Sequence, residues 1–241
     1  MARANPVDNR RGHPACGRQT VRGYGRSMRI TIAGGHGQIA QHLERQLTAA
    51  GHEAVGIVRN PDHVADLEAN GAEAVVLDLE VASVADVARA LDGSHAAVFA
   101  AGGGPNSGVE RKETVDKNAA ILLADAAEEA GVGRYLMISA MGTEDADPGS
   151  DDVFQVYLRA KQAADDHVRS SDLDWTVVRP GRLTDDVPTG LVQVGQLESG
   201  SVTRGDVAHV LAEVLTADNT VRKTFDLLNG DQPIGQAIAK L

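Results

Sequence analysis

The stretch RITIAGGHGQIA, residues 29–40, decides the fold of this 241-residue chain. A short apolar run breaks into a glycine-rich turn, and the turn leads into a segment with helical periodicity. The spacing Gly34-x-x-Gly37-x-x-Ala40 keeps side chains out of the turn, so backbone N–H groups and the positive end of a helix dipole can face a pyrophosphate. We predict dinucleotide binding here, with an ordinary strand-to-helix turn as the alternative. The predicted contacts are Gly34, Gly35, His36, Gly37, Gln38 and Ile39.

Short apolar segments alternate with amphipathic ones along the rest of the chain. The alternation predicts α/β architecture, a Rossmann-like doubly wound parallel sheet in a single domain over residues 28–241. Residues 180–203 show no regular period, and we predict that they form an irregular segment that covers the substrate. The predicted strands are residues 29–33, 53–58, 74–77, 96–100, 135–139, 175–178 and 224–228. The predicted helices are residues 37–50, 61–69, 83–91, 111–130, 152–170 and 204–216, with a last short helix after them.

The residues that end the strands indicate which cofactor binds, because ligands of such sheets lie at the carboxyl ends of the strands. Arg59 follows the second strand, where an acid would hold a ribose 2′-OH and a cation would hold a 2′-phosphate. This favours NADP over NAD, with a solvated arginine as the alternative. Asp78 and Leu79 follow the third strand, and Asp78 either accepts from the adenine amino group or caps a turn. Ala101 and Gly102 follow the fourth strand and leave open backbone beside the cofactor.

Tyr157 and Lys161 are four residues apart on a predicted helix and therefore share one face. Lys161 falls within the apolar arc of that helix, where a buried ammonium is costly unless it is paired; the alternative is that it snorkels. We predict that Lys161 lowers the pKa of Tyr157, so that the phenol can exchange a proton with a substrate oxygen during hydride transfer. Asp165, four residues later, could pair with Lys161 instead. Ser139, after the fifth strand, either polarises the substrate oxygen or forms a turn.

Composition limits the partners and the compartment. The net charge of −11 argues against nucleic acid or an anionic membrane as the main partner, and no apolar run has transmembrane length. Cys16 is the single cysteine, which fits a reducing cytoplasm, and the eight histidines show no metal-ligand spacing. Residues 1–29 hold seven arginines and one acid. We predict a disordered basic extension over residues 1–27, with a nucleic-acid arm or a targeting peptide as alternatives.

Together these pieces resemble the atypical short-chain dehydrogenases/reductases of the small NAD(P)H-binding, NmrA-like type. The resemblance implies a Rossmann fold in which Pro180 passes near the nicotinamide. One departure is that Ala140 follows Ser139 where the family often has a second serine, and Thr143 is a candidate substitute. The matching pieces, in the family's order, are the glycine turn, Arg59, residues 135–139, Tyr157-x-x-x-Lys161, residues 175–181 and residues 202–208.

The predicted function is hydride transfer between NADP(H) and a small carbonyl, quinone or flavin-like substrate. A non-catalytic NADP(H)-binding redox-sensing regulator is one alternative, but such regulators usually lack the Tyr-x-x-x-Lys pair. A sugar epimerase-like enzyme is another, disfavoured because only a short segment near residues 183–202 could cover the site. The sequence leaves the substrate and the oligomeric state open, a homo-oligomer included.

Overall fold

A computed structural model describes residues 27–104 and 107–241. The predicted extension over residues 1–27 lies outside these ranges except for Ser27, whose hydroxyl donates to the Gly51 carbonyl oxygen at 2.9 Å. Of the helices within the described ranges, none is both long enough and apolar enough to cross a membrane.

Short, mostly buried strands build the sheet, and the seven strands that were predicted begin and end within two residues of the predicted positions. The described residues form β1 (Arg29–Ala33), β2 (Glu53–Val58), β3 (Glu73–Val76), β4 (Ala96–Phe99), β5 (Arg134–Ile138), β6 (Asp174–Pro180), β7 (Arg182–Thr184), β8 (Leu191–Gly195), β9 (Ser201–Thr203), β10 (Lys223–Asn229) and β11 (Gln232–Pro233).

The strand order of the central sheet is β11-β8-β10-β6-β5-β4-β1-β2-β3. The seven strands from β10 to β3 pair in parallel, whereas β8 is antiparallel to β10 and β11 is antiparallel to β8. The order reverses at β1, which lies between β2 and β4, so the crevice for a ligand opens beyond Ala33 and Phe99. The predicted doubly wound parallel sheet is confirmed.

Helices connect the parallel strands and lie on both faces of the sheet, as right-handed crossovers require. They are α1 (Gln38–Ala49), α2 (Val64–Ala69), α3 (Val84–Ala90), α4 (Val109–Arg111), α5 (Ala120–Ala130), α6 (Val153–Ser170), α7 (Arg204–Val214) and α8 (Ile234–Ile238). Between α4 and α5 the chain is wound as a π-helix over Lys112–Ala119, so the predicted helix over residues 111–130 changes its winding along its length.

Two apolar clusters hold the helices to the two faces. Leu43 of α1 and Leu211 of α7 pack with Ile32 in one cluster, and Leu123 of α5 packs with Phe99 in the other. All five side chains are fully buried, and each contributes about 1.5–3 kcal/mol through removal from water. The sheet is thus fixed from both sides, which makes its carboxyl edge a rigid base for a site.

The prediction that residues 180–203 are irregular is wrong. This segment contains β7, β8 and β9: β7 and β9 form a separate two-stranded parallel sheet, and β8 joins the central sheet beside β10. Its backbone hydrogen bonds go to distant partners such as Leu227, which pairs with Val194. The hydrophobic periodicity of a segment reports only on its near neighbours, so it does not indicate pairing with a distant strand.

Candidate functional site

The glycine turn between β1 and α1 lies at the switch point and is closely packed. Gly34 has a φ of +83°, and a Cβ there would lie 2.7 Å from the Ala101 Cα, so only glycine fits. Gly37 precedes α1 and has no side chain to cap its first turn, which also lacks acidic residues. The first N–H groups of a 12-residue helix are therefore open to an anion.

A cleft of about 330 Å³ extends from this turn toward the ends of β2 and β3; we call it the β2–β3 cleft. Arg59 lines it, 2.7 Å from the Glu80 carboxylate, and Arg111 lies 2.8 Å from the same oxygen. The pKa of Glu80 is lowered, first by the hydrogen bond that Thr114 donates and then by the two arginines. Two guanidinium groups thus share one carboxylate, and Arg59 remains half exposed.

Histidines and a capped turn complete the β2–β3 cleft. The His36 ring stacks on the His63 ring with centroids 3.6 Å apart, and His36 Nε2 lies 2.8 Å from the Asp66 carboxylate. Asp78 accepts a hydrogen bond from the Glu80 N–H at 3.0 Å, so it does cap a turn while it lines the cleft. His36 was predicted from its place in the turn, whereas His63 was not, because its position beside the turn follows only from the fold.

A larger cavity of about 1030 Å³ lies beyond the ends of β4, β5 and β6; we call it the β4–β6 cavity. It shares the residues 100–102 with the β2–β3 cleft, so a single extended ligand can reach both. Tyr157, Lys161, Ser139 and Pro180 all line it, which brings together the predicted catalytic residues. The β4–β6 cavity is also lined by three of the other predicted contacts, Ile39, Ala101 and Gly102. The β2–β3 cleft is lined by six more: Gly34, His36, Gly37, Arg59, Asp78 and Leu79.

Gly35 and Gln38 line neither space. A Cβ on Gly35 would lie 2.7 Å from the Gly56 Cα, so this glycine serves the contact between the turn and β2. The Gln38 side chain donates to the Asp185 carboxylate at 3.3 Å.

The prediction that Lys161 lowers the pKa of Tyr157 is wrong for the protein without bound cofactor or substrate. Burial raises the pKa of Tyr157 above its ordinary value of 10, and Asp116 and Asp165 add to the rise. Lys161 donates instead to the Ile138 carbonyl oxygen at 3.1 Å and lies 3.7 Å from Asp116. Burial lowers the pKa of Lys161, and Asp116 and Asp165 oppose that shift.

The sequence spacing allowed Asp165 to pair with Lys161. In the structure Asp165 pairs with Arg179 instead. Arg179 donates to one Asp165 oxygen through Nε at 3.1 Å and through a terminal nitrogen at 3.0 Å. Burial raises the pKa of Asp165, opposed by the nearby Ser139 hydroxyl and by Arg179. Ser139 itself forms no well-aligned hydrogen bond with a described residue, so its hydroxyl can accept a new partner. Thr143 is buried outside the lining of the cavity and does not replace it.

Two charged residues that the sequence reasoning missed come from the π-helical segment. Lys112 and Asp116 are both buried and both line the β4–β6 cavity. Asp116 lies 3.7 Å from Lys161 and accepts from the Gly103 N–H at 3.1 Å, and Lys112 lies with its ammonium 5.4 Å from the centre of the Tyr157 ring. Their spacing of four residues was visible, but the winding that turns them to the cavity was not.

Comparisons with known proteins identify the family and the fold. Residues 34–218 match the model of a family described as NAD(P)H-binding. The chain is 36% identical over 216 residues to an uncharacterized sugar epimerase, YhfK, of Bacillus subtilis, covering 89% of this chain and 100% of the relative. The solved structure of a putative NAD-dependent epimerase/dehydratase from Bacillus halodurans superposes with a TM-score of 0.83 at 39% identity, covering 89% and 100% of the two chains. An anaerobilin reductase of Escherichia coli O157:H7 shares the fold, with a TM-score of 0.71 at 23% identity over 85% of this chain and 98% of that one.

Proposed function

Because the chain belongs to the NAD(P)H-binding family, we propose that it is an NADP-dependent oxidoreductase that reduces a small carbonyl, quinone or flavin-like substrate. The family membership confirms the resemblance predicted from the sequence. One observation carries the proposal: the cavity that holds Tyr157, Lys161 and Ser139 joins the cleft that holds the glycine turn and Arg59.

The residues present suit a nicotinamide dinucleotide. The first turn of α1 would receive the pyrophosphate, because Gly37 leaves the first N–H groups of the helix without a side-chain cap and no acidic residue lies there. The β2–β3 cleft would hold the adenosine half and the β4–β6 cavity the nicotinamide half. When bound, the reduced nicotinamide supplies a hydride, and thus two electrons, to the substrate.

Tyr157 would supply the proton that completes the reduction. The phenol is protonated at neutral pH, as a proton donor must be, and it can donate to the oxygen of a carbonyl as hydride reaches the carbon. Lys161 would hold the ribose beside the nicotinamide, and the Ser139 hydroxyl, which lies close to Asp165, would donate to the same substrate oxygen. The products are an alcohol and the oxidised cofactor, with the Tyr157 proton restored from solvent.

Arg59 supports NADP as the cofactor. Its guanidinium lies half exposed at the end of β2, where it can give parallel N–H bonds to a 2′-phosphate. Arg59→Ala is expected to weaken NADPH binding roughly tenfold to a hundredfold, since a hydrogen bond to a charged group is worth about 1.5–3 kcal/mol, and to leave NADH binding unchanged. Fluorescence titration with each cofactor measures this.

Arg89→Ala is the matched control, because Arg89 is exposed on α3 and, among the residues that the structure describes, pairs with Asp86 one turn away. Its affinities should equal those of the unaltered protein. Equal affinity of the unaltered protein for NADPH and NADH would contradict the assignment of Arg59. Loss of NADPH absorbance with a panel of quinones and aldehydes separates an oxidoreductase from a sensor, which would bind NADPH without consuming it.

A further inference from the structure

A buried charge cluster lies at the inner end of the β4–β6 cavity. The Lys112 ammonium donates to the Gly104 carbonyl oxygen at 2.7 Å and lies 3.9 Å from Asp116 Oδ2. The Lys161 ammonium lies 3.7 Å from Asp116 Oδ1. The side chains of Lys112, Asp116 and Lys161 are between 2% and 7% exposed, so water screens their charges weakly.

The charges in this cluster do not balance. Two ammonium groups share the single carboxylate of Asp116, and both distances are longer than a hydrogen bond. The other buried acid close by, Asp165, is already paired with Arg179. With both lysines protonated, the cluster carries a net positive charge, which a low-dielectric site tolerates best when an anion faces it.

The rest of the cavity fits an apolar ring more than a sugar. Val153 and Phe154 line it and are exposed, and Met141 and Leu183 also line it. Phe154 lies with its ring centre 6.0 Å from that of Tyr157, which extends the aromatic wall toward the reacting residue. At the rim, Arg182 is exposed and forms no ion pair with any residue that the structure describes.

We infer that Lys112 binds an anionic group, a carboxylate or a sulfonate, on a substrate whose body is an apolar ring system. The inference rests on the proposed function, because it places the ring of the substrate against Tyr157. Asp116 positions both ammonium groups and does not contact the anion. Lys161 stays beside the reacting centre, so of the two buried lysines Lys112 is the one left for the substrate, while Arg182 lies at the rim.

A pair of quinones that differ in one charge tests this inference. With NADPH as reductant, Lys112→Met is expected to raise the KM for 1,2-naphthoquinone-4-sulfonate about tenfold to a hundredfold, the range for loss of a charged hydrogen bond. The KM for uncharged 1,2-naphthoquinone and the affinity for NADPH should not change. Lys112→Arg should restore most of the loss, which also shows that the site still folds. Equal losses with both quinones, or no loss, would overturn the inference.

Lys117→Met is the matched control, because Lys117 lies in the same π-helical segment but pairs with Glu113 and lines neither cleft nor cavity. Direct binding of 2-naphthalenesulfonate to the protein saturated with NADP⁺, measured by calorimetry, separates this inference from the proposed function. If neither quinone is reduced but Lys112→Met still weakens this binding by a similar factor, the anion site stands and the reaction class is wrong. If Lys112→Met leaves the binding unchanged, the anion site is wrong whatever the turnover.

Discussion

Replacing Tyr157 by Phe is expected to lower the rate of carbonyl reduction about a hundredfold to ten-thousandfold, the contribution of a positioned general acid. The substitution removes the phenol oxygen and keeps the ring that faces Phe154 and Lys112. The affinity for NADPH should therefore persist. Steady-state turnover and an NADPH titration on the same preparation measure the two effects.

The pH dependence of the reduction rate is a second test of the role of Tyr157. Because the pKa of Tyr157 is raised above its ordinary value of 10 by burial and by two nearby carboxylates, the phenol stays protonated through neutral pH. We therefore expect that ionisation of Tyr157 causes no loss of the reduction rate at or below neutral pH. A profile that falls near neutral pH in the unaltered protein, and becomes flat in Tyr157→Phe, would show that Lys161 lowers the pKa after all.

Tyr135→Phe is the control for the loss of a buried tyrosine hydroxyl. Tyr135 lies in β5, is fully buried and donates to the Ala120 carbonyl oxygen at 3.0 Å, away from the cavity. This variant should lose about 1 kcal/mol of stability, the usual value of a hydrogen bond, and keep its turnover. If Tyr157→Phe reduces its substrates at the normal rate, Tyr157 only packs and the substrate needs no acid from the protein.

Glu44→Gln is expected to remove most of a pH-dependent loss of stability. Glu44 lies in α1 beneath the glycine turn, fully buried against Gly35 and Gly56, and burial raises its pKa to about 7. A hydrogen bond from Asn70 at 3.0 Å and the charge of Arg45 oppose the rise without cancelling it.

The sign follows from proton linkage. The folded protein holds the Glu44 proton at pH values where the unfolded chain, with its ordinary pKa of 4.5, has released it. The contribution of Glu44 to the free energy of unfolding therefore falls as pH rises from about 4.5 to about 7, by roughly 3 kcal/mol. Urea unfolding across this range should show the fall in the unaltered protein and a much flatter curve in Glu44→Gln.

Glu68→Gln removes an exposed carboxylate from the neighbouring helix α2 and should leave the pH dependence intact. If the curves of Glu44→Gln and the unaltered protein run parallel, Glu44 does not carry the effect. Asp165, whose pKa is also raised by burial, would then be the next carboxyl to replace.

Much of the fold was readable from the sequence because its strongest features are local. The apolar strand before Gly34, the glycine spacing and the alternation of periods each report on a few neighbouring residues, and the parallel sheet follows from them. The strand β8 was missed because its pairing with β10 joins residues more than thirty positions apart.

The sequence predicted which residues form the site better than it predicted how their charges interact. Tyr157 and Lys161 were found because helical spacing places them on one face, but the direction of the Lys161 ammonium depends on Asp116, which comes from another helix. Glu44 was missed for a similar reason. Its burial is imposed by the close approach of Gly35 and Gly56, and no pattern within α1 records that contact.

The π-helical winding of Lys112–Ala119 accommodates an extra residue while the flanking residues keep their directions. A π-turn closes its hydrogen bonds over one residue more than an α-turn, so one inserted residue is absorbed within the turn. Deletion of one residue between Asp116 and Ala119 would let the helix run on as an ordinary α-helix. Lys112 would then keep nearly its present direction around the axis, because the shorter chain and the tighter winding compensate each other. The segment thus tolerates a change of chain length before α5 without withdrawing the Lys112 ammonium from the cavity.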